Sequence, residues 1–453
     1  MDSLLCDELL EEILQRLHSA SDANSASLVS KRWLSLLRSS RTALSLRLPT
    51  GCSGGSRLCL SSFLSHYPNL SALTLVSDSP NADPCLSDLA LLSLSSACRN
   101  LTQLRFLVGP VTSSSLQHLS SSCKALSSLK IIASRSLGFD WLAGFRSLRN
   151  LSVTFLDCLE DGPPPSSMIN LPGGLELQLE TLCFTGIGNG DVGIDWLWRN
   201  CRSISKLRLS SCEGIGNSIS DPFFLNLLSG IREIELVTCR SITASLLLRV
   251  AEHCRSLVSL VVYDGGNRDA LIEVIRNCGS LRKIDLRLPL DLDDDGLMAI
   301  AQNCRELQSL CLQSCVMISG ESLRSLGRVL CSSLEELALV NCDAAEREPG
   351  LLTSLGQNLR SLKRLDLSYN ELLLDKEMVS MLASSRNLVE ISLRGCRGLT
   401  DMTISAIIKN CPLLRIIDIR QCHKITSQGV GLLLEAPNLI QILVEQSKIP
   451  GQL

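Results

Sequence analysis

From Leu70 to Val444 one spacing keeps returning: an apolar residue, two of any kind, a second apolar residue, one of any kind, and a third. It reads Leu70/Leu73/Leu75, then Leu101/Leu104/Phe106, and reaches Leu439/Ile442/Val444 as the fifteenth copy. The last two members of each copy lie two apart, as one face of a short strand requires, and the residues that follow switch to helical spacing. A single strand-loop-helix unit of this kind cannot bury its own apolar face, so it is stable only against copies of itself. The pattern therefore predicts a stack, with parallel strands along one wall and helices along the other.

Steps between first members run from 22 to 31 residues, mostly inside the leucine-rich-repeat period of roughly 20–29. Composition agrees with a layered aliphatic core, since 92 of 453 residues are leucine and only 15 are aromatic. We expect an α/β leucine-rich-repeat solenoid over residues 44–453, continuous and about 15 repeats long, with a parallel inner sheet and outer helices. Within it, Thr400 or Asp401 should cap a helix that turns Met402, Ala406 and Ile407 inward. The segment Asp157–Gly174, interrupted by Pro163–Pro165, reads as a surface loop because proline continues neither strand nor helix. Around Pro289–Gly296 the carboxylates of Asp291, Asp293, Asp294 and Asp295 suit a helix N-terminus, and they lack the spacing and closing glutamate of a calcium loop.

Fourteen of the 21 cysteines occupy two fixed places. Cys98, Cys123, Cys201, Cys254, Cys278, Cys304, Cys331 and Cys411 lie three before a first leucine, at the helix end. Cys212, Cys239, Cys315, Cys342, Cys396 and Cys422 lie three after the last strand residue, where Asn370 stands in another copy. A small buried side chain with weak hydrogen-bonding capacity suits that turn. The acidic, amphipathic amino terminus does not resemble a secretory signal, so we expect free thiols in a reducing compartment, cytoplasm or nucleus. A column of stacked thiols gives a line rather than a tetrahedron, and no metal site is expected.

With 43 basic and 46 acidic side chains the chain offers no general field for nucleic acid. No stretch of 18 apolar residues occurs, and no membrane association is expected. Gly188-x-Gly190-x-x-Gly193 matches a dinucleotide fingerprint as a bare pattern, but it sits inside the repeat register rather than at a topological switch point. The histidines His18, His66, His118, His253 and His423 are scattered. We find no catalytic constellation and expect neither cofactor nor enzymatic activity.

Residues 1–43 break the repeat rule. Leu9, Leu10, Ile13, Leu14 and Leu17 read as one helical face, and after a turn-like Ser19–Ser25 a second helix offers Val29, Trp33 and Leu36/Leu37. Such a pair either caps the first repeat or presents apolar residues to a partner. The segment Leu5-Cys6-Asp7-Glu8-Leu9-Leu10-x-x-Ile13-Leu14-x-x-Leu17, followed by Ser27-Leu28-Val29-Ser30-Lys31-Arg32-Trp33, resembles the F-box. Joined to cysteine-bearing leucine-rich repeats, it resembles the F-box/leucine-rich-repeat proteins, substrate-receptor subunits of SCF-type ubiquitin ligases. Cys6 stands where that family usually has proline. The resemblance implies that Leu5, Leu9, Leu10, Ile13 and Trp33 build or support a docking surface for a Skp1-type adaptor, and through it a cullin scaffold. It also implies that the repeats hold a substrate protein.

Residues between and just after the core strand positions should point to the inner face. Among them Tyr263, Arg287, Arg394 and Arg420 are the expected substrate contacts, because arginines offer paired donors to carboxylate or phosphate. The competing reading is a solvated face of self-paired charges. A small-molecule-dependent receptor and a ubiquitin-independent scaffold are the alternatives to a ligase subunit.

Overall fold

The structure, a computed structural model, describes residues 5–17, 20–48, 57–78, 84–156, 176–188, 191, 193–216, 219–288 and 291–445. The expected loop at 157–174, together with His18, Gly190 and Pro289, lies outside them. The chain packs as two compact units, Met1–Lys206 with Gly214–Leu227, and Leu207–Glu213 with Leu228–Leu453.

The first unit opens with helices α1 (Asp7–Gln15), α2 (Ala20–Ser27) and α3 (Lys31–Ser40). The stretch read as a turn is thus mostly helical: its serines, alanines and asparagine carry no apolar face, which hid the helix from a periodicity argument. Strands β1 (Ala43–Leu48), β2 (Ala72–Ser77), β3 (Gln103–Val111), β4 (Ser128–Ser134), β5 (Asn150–Leu156) and β6 (Thr181–Thr185) then pair in chain order, all parallel. β1 adds a strand ahead of the first counted copy, carrying Leu44, Leu46 and Leu48 at alternate positions. Where a 3-10 turn, Asp140–Gly144, replaces an outer helix, large rings fill the space. Phe139, Trp141, Phe145, Phe155, Phe184, Trp198 and Phe224 form a connected cluster with centroids 5.1–6.4 Å apart.

Strand β7 (Lys206–Ser210) enters the second unit at Leu207. There follow β8 (Glu233–Val237), β9 (Ser259–Tyr263), β10 (Lys283–Arg287), β11 (Ser309–Gln313), β12 (Glu336–Val340), β13 (Arg364–Asp366), β14 (Glu390–Ser392), β15 (Ile416–Asp418) and β16 (Gln441–Leu443). From β8 onward each is parallel to the next. The register aligns Leu260, Ile284, Leu310, Leu337, Leu365, Ile391, Ile417 and Ile442 in one row, buried except at the final strand. Helices form the opposite wall. In the helix Asp401–Asn410 Thr400 caps the start, as expected, but the inward residues are Thr403, Ile404, Ala406 and Ile407. Met402 points to solvent: the buried stripe begins one residue later than the expected one.

The strand exits share one backbone device. Two residues after the last core strand position, Ser211, Thr238, Asp264, Leu288, Ser314, Asn341, Tyr369, Gly395 and Gln421 all take φ between 51° and 76°. Left-handed backbone is unusual for residues other than glycine. Here it turns each amide toward the next repeat. Thr238 donates to the Tyr263 carbonyl at 2.8 Å, Asp264 to Arg287 at 2.9 Å, Leu288 to Gln313 at 2.9 Å and Asn341 to Ser368 at 3.0 Å. The ladder of backbone hydrogen bonds thereby outlasts the strand.

The next position is the second cysteine column, and its thiols close the same turn. Cys342 Sγ donates to the Leu312 carbonyl at 3.3 Å, Cys396 to Leu367 at 3.0 Å and Cys422 to Leu393 at 2.9 Å. Asn370 makes the equivalent bond to Leu339 and also accepts from the Cys342 amide. At the helix ends, Cys254 Sγ donates to Ile231 at 3.2 Å and Cys278 to Cys254 at 3.0 Å. Burial pushes Cys254 up to about 11 and Cys278 and Cys304 up to about 12, so these thiols stay protonated donors at neutral pH. Cys331 departs from its column: the preceding Leu330 takes the buried place at the helix end, and the cysteine is displaced to the surface.

Outer helices are tied by carboxylates. Asp375 accepts from the Thr400 amide (3.0 Å) and hydroxyl (2.8 Å) and from the Thr403 hydroxyl (2.6 Å), and Asp401 repeats this on Thr426. The acidic loop before the helix Asp294–Asn303 works the same way. Asp293 caps that helix, Asp294 accepts from the Ser319 amide, and Asp291 and Asp293 accept from the Arg268 amide and guanidinium. Internal donors therefore reach each of these carboxylates, at Asp291 through Oδ2 alone.

Two measurements check this account. Leu337→Asp should abolish the cooperative thermal transition of the second unit, because an unpaired charge within the row costs several kcal/mol, on the order of 3–5. Burial alone would raise the Asp375 pKa, but the donors from Thr400 and Thr403 outweigh it and hold the carboxyl below its ordinary value. Its contribution is thus present above the unfolded pKa, near 3.9, and lost as pH falls through the lower folded value. Asp375→Asn should cost about 1 kcal/mol at pH 7, and the difference from wild type should shrink in denaturant titrations run below about pH 4.

Candidate functional site

Helix α1 is apolar on two adjoining stripes, not one face. Leu10 and Leu14, four apart, pack with Ala26, Leu36 and Leu37 into a small core, against which Leu5, Leu17 and Trp33 lie partly buried. Leu9 and Ile13, also four apart but rotated by about 100°, stay 51% and 47% exposed. In the turn between α2 and α3, Leu28 and Val29 are 86% and 58% exposed. Of the five expected adaptor residues, the structure thus places Leu9 and Ile13 on the surface, and Leu5, Leu10 and Trp33 in or against the core that supports them.

Local chemistry explains the arrangement. Ser30 caps α3 by accepting from the Trp33 amide at 3.2 Å, which starts the helix where the tryptophan can reach the core. Arg32 forks onto Asp7 at 2.8 and 2.6 Å and also donates to the Leu5 carbonyl at 2.8 Å, pinning the start of α3 to the start of α1. Sequence periodicity does not reveal that clasp, since neither residue is apolar. Cys6, ahead of α1, has φ −69°, the value a proline ring imposes, so the turn keeps proline-like geometry without proline.

On the inner face of the second unit, Tyr263 and Arg287 are direct partners across β9 and β10. Gln313, Val340 and Ser368 occupy the same place in the next three repeats, followed by Arg394 and Arg420. The four expected contacts therefore form two pairs, roughly 19 Å apart at the ladder spacing of about 4.8 Å. Their charges are not equivalent. Arg287 forks onto Asp285 through Nε and Nη2, both at 2.9 Å, and Arg420 forks onto Asp418 in the same way. Hydrogen bonding to those carboxylates raises the pKa of both guanidinium groups. Elsewhere Arg208 pairs with Glu235 at 3.4 Å, and Arg364 pairs with Glu336 and Glu390. Much of the face is self-paired. Arg394 has Ser392 two residues before it instead of aspartate, and its guanidinium lies 5.5 Å from the Tyr369 ring centroid.

The glycine motif holds no open phosphate cradle at the part described, since the Gly188 amide donates to Asp191 Oδ2 at 2.7 Å and Arg135 pairs with the same carboxylate. Among the described residues no group of three histidine, cysteine or carboxylate side chains is arranged to hold a metal ion, and no helix is long and apolar enough to cross a membrane.

Residues 3–43 match the F-box domain. A Transport inhibitor response 1-like protein of rice, Oryza sativa subsp. japonica, is 23% identical over 394 residues, covering 80% of this chain and 63% of its own length. The chain thus spans under two thirds of that relative. A chain of the yeast Rad7 and Elc1 complex superposes with a TM-score of 0.42 at 16% identity, covering 98% of this chain and 91% of that one. LegL7, a leucine-rich-repeat-containing protein from Legionella pneumophila, gives 0.41 at 15% identity, covering 57% and 89%. The chain thus joins an F-box segment to a stack of strand-and-helix leucine-rich repeats.

The two stripes of α1 separate by mutation. Leu10→Ala should destabilise the three-helix segment by about 2–5 kcal/mol, whereas Leu9→Ala with Ile13→Ala should leave its melting within about 0.5 kcal/mol of wild type. Hydrogen exchange of the α1 and α3 amides reads both.

Proposed function

We propose that this protein is a non-catalytic substrate receptor of an SCF-type ubiquitin ligase. The F-box match at residues 3–43 carries the reading, and the exposed Leu9 and Ile13 supply its physical basis. A helical segment that has already buried Leu10, Leu14, Leu36 and Leu37 still leaves large aliphatic side chains in water, and such residues favour a partner surface. The partner is a Skp1-type adaptor, which tethers the chain to a cullin scaffold. The inner face of the repeats holds a substrate protein, with Tyr263, Arg287, Arg394 and Arg420 along the path of contact. Ubiquitin transfer then follows from proximity: a substrate lysine held near a charged conjugating enzyme reacts as if at high local concentration. Cytoplasm or nucleus is the compartment in which this would act, consistent with repeat-column cysteines that form no disulfide among the described residues.

Adaptor capture tests the reading. Full-length chain should co-purify with a Skp1-type adaptor, and Leu9→Glu with Ile13→Glu should reduce capture at least tenfold while the thermal transition of the repeats is unchanged. Undiminished capture by the double variant would place the adaptor elsewhere, and no capture by wild type would remove the ligase reading.

A further inference from the structure

We infer that Arg394 and Tyr369 form the anchor for a carboxylate on the substrate: the receptor takes an acidic peptide segment, and its aspartate or glutamate docks on the guanidinium that the fold leaves without an acid. The inference rests on the receptor reading above and names the substrate class of the same face.

Three observations converge. Among the three inner-face arginines expected at the contact, Arg287 and Arg420 are closed by Asp285 and Asp418, each two residues back on the same strand exit. At Arg394 that place is Ser392, whose hydroxyl is 2.8 Å from the Ser368 hydroxyl. Arg394 Nε is buried with no hydrogen-bond partner, and no ion pair to this side chain is found among the described residues. A guanidinium in that state gains more from an incoming carboxylate than a paired one does, because no internal pair has to be broken.

The second observation is the platform. Tyr369 occupies the left-handed position of its repeat, φ 62°, and its ring carries the Arg394 guanidinium at 5.5 Å while remaining 38% exposed. The third is Gly395. A Cβ there would lie 2.8 Å from Tyr369 Cδ1, and its φ of +76° already disfavours a side chain. The other strand exits of the second unit carry non-glycine residues at this position. Glycine thus makes room for the ring that orients the arginine. Leu372 and Leu374, exposed in the same loop as Tyr369, offer apolar contact for residues flanking the acid. Aromatic and arginine side chains together are the usual anchors of protein interfaces.

The test uses the full-length chain and two immobilised pools of 12-residue peptides, randomised except for a central Leu-Glu in one and Leu-Gln in the other. Wild type should retain at least tenfold more on the Glu pool. Arg394→Gln and Tyr369→Ala should erase that preference, Tyr369→Phe should keep it, and Arg276→Gln, on the outer helix Arg268–Asn277, should leave it within twofold; equal melting temperatures establish that each variant is folded. Equal retention by both pools on wild type, or an unchanged preference in Arg394→Gln, overturns the inference. A third pool with phosphoserine in place of Glu, retained more than tenfold better in an Arg394-dependent way, overturns the assignment to a carboxylate. Adaptor capture in the same preparation separates the two readings: its loss with peptide preference intact removes the ligase role and leaves the anchor standing.

Discussion

The structure depends on one constraint at the strand exits. The strands of the second unit, three to five residues long, bury at most three apolar side chains each, and that is too little to hold a chain without a neighbour in register. Register must therefore be passed from repeat to repeat, and the left-handed residue does this by aiming its amide at the following repeat's carbonyl. The thiol or amide beside it then bonds back to the preceding repeat, as Cys396 does to Leu367 and Asn370 to Leu339. The exits at Asn341, Tyr369 and Gly395 are thus fastened on both sides. The cost of positive φ at Thr238, Leu288 or Tyr369 is offset because each of these amides finds an acceptor in the next repeat.

The outer wall solves the same problem with charge. Helices of five to fourteen residues have orphan amides at each start. Asp375 and Asp401 serve the helix of the next repeat as well as standing in the first turn of their own, so one carboxylate both caps and staples. The acidic loop at Asp291–Asp295 is the densest instance, and Arg268 is its counter-charge. Clusters of like charge that look like ligand sites in sequence are here reciprocal caps.

Periodic features were legible from residue spacing, and one-off features were not. The row from Leu260 to Ile442 and both cysteine columns repeat many times, so any error of register would have shown. Three misses have a common cause. Helix α2 is polar throughout, the Arg32–Asp7 clasp is a single contact across 25 residues, and the split of α1 into Leu10/Leu14 and Leu9/Ile13 turns on which of two equally apolar stripes finds a core. Likewise Met402 and Ile404 are both apolar, and only packing against the neighbouring repeat decides between them. The inner face was legible as to which residues lie there, since alternation along a strand is obligatory. Which arginines have a partner was not, because that depends on an aspartate two residues earlier lying buried beneath the guanidinium and being gripped by it, which alternation alone does not give.

That last distinction changes how charge on a repeat face should be read. Asp285 and Asp418 are buried, with only 6% and 8% of their surface exposed, so the arginines above them neutralise charges that water cannot reach. Reversing Arg287 or Arg420 would leave two carboxylates facing one another in that environment, and the loss of binding that followed would report damage to the sheet. Counting guanidinium groups along the column therefore overstates its appetite for anions. The side chain able to report binding by itself is the one whose removal strands no buried partner, and in this column that is Arg394, where Ser392 has already turned its hydroxyl to Ser368.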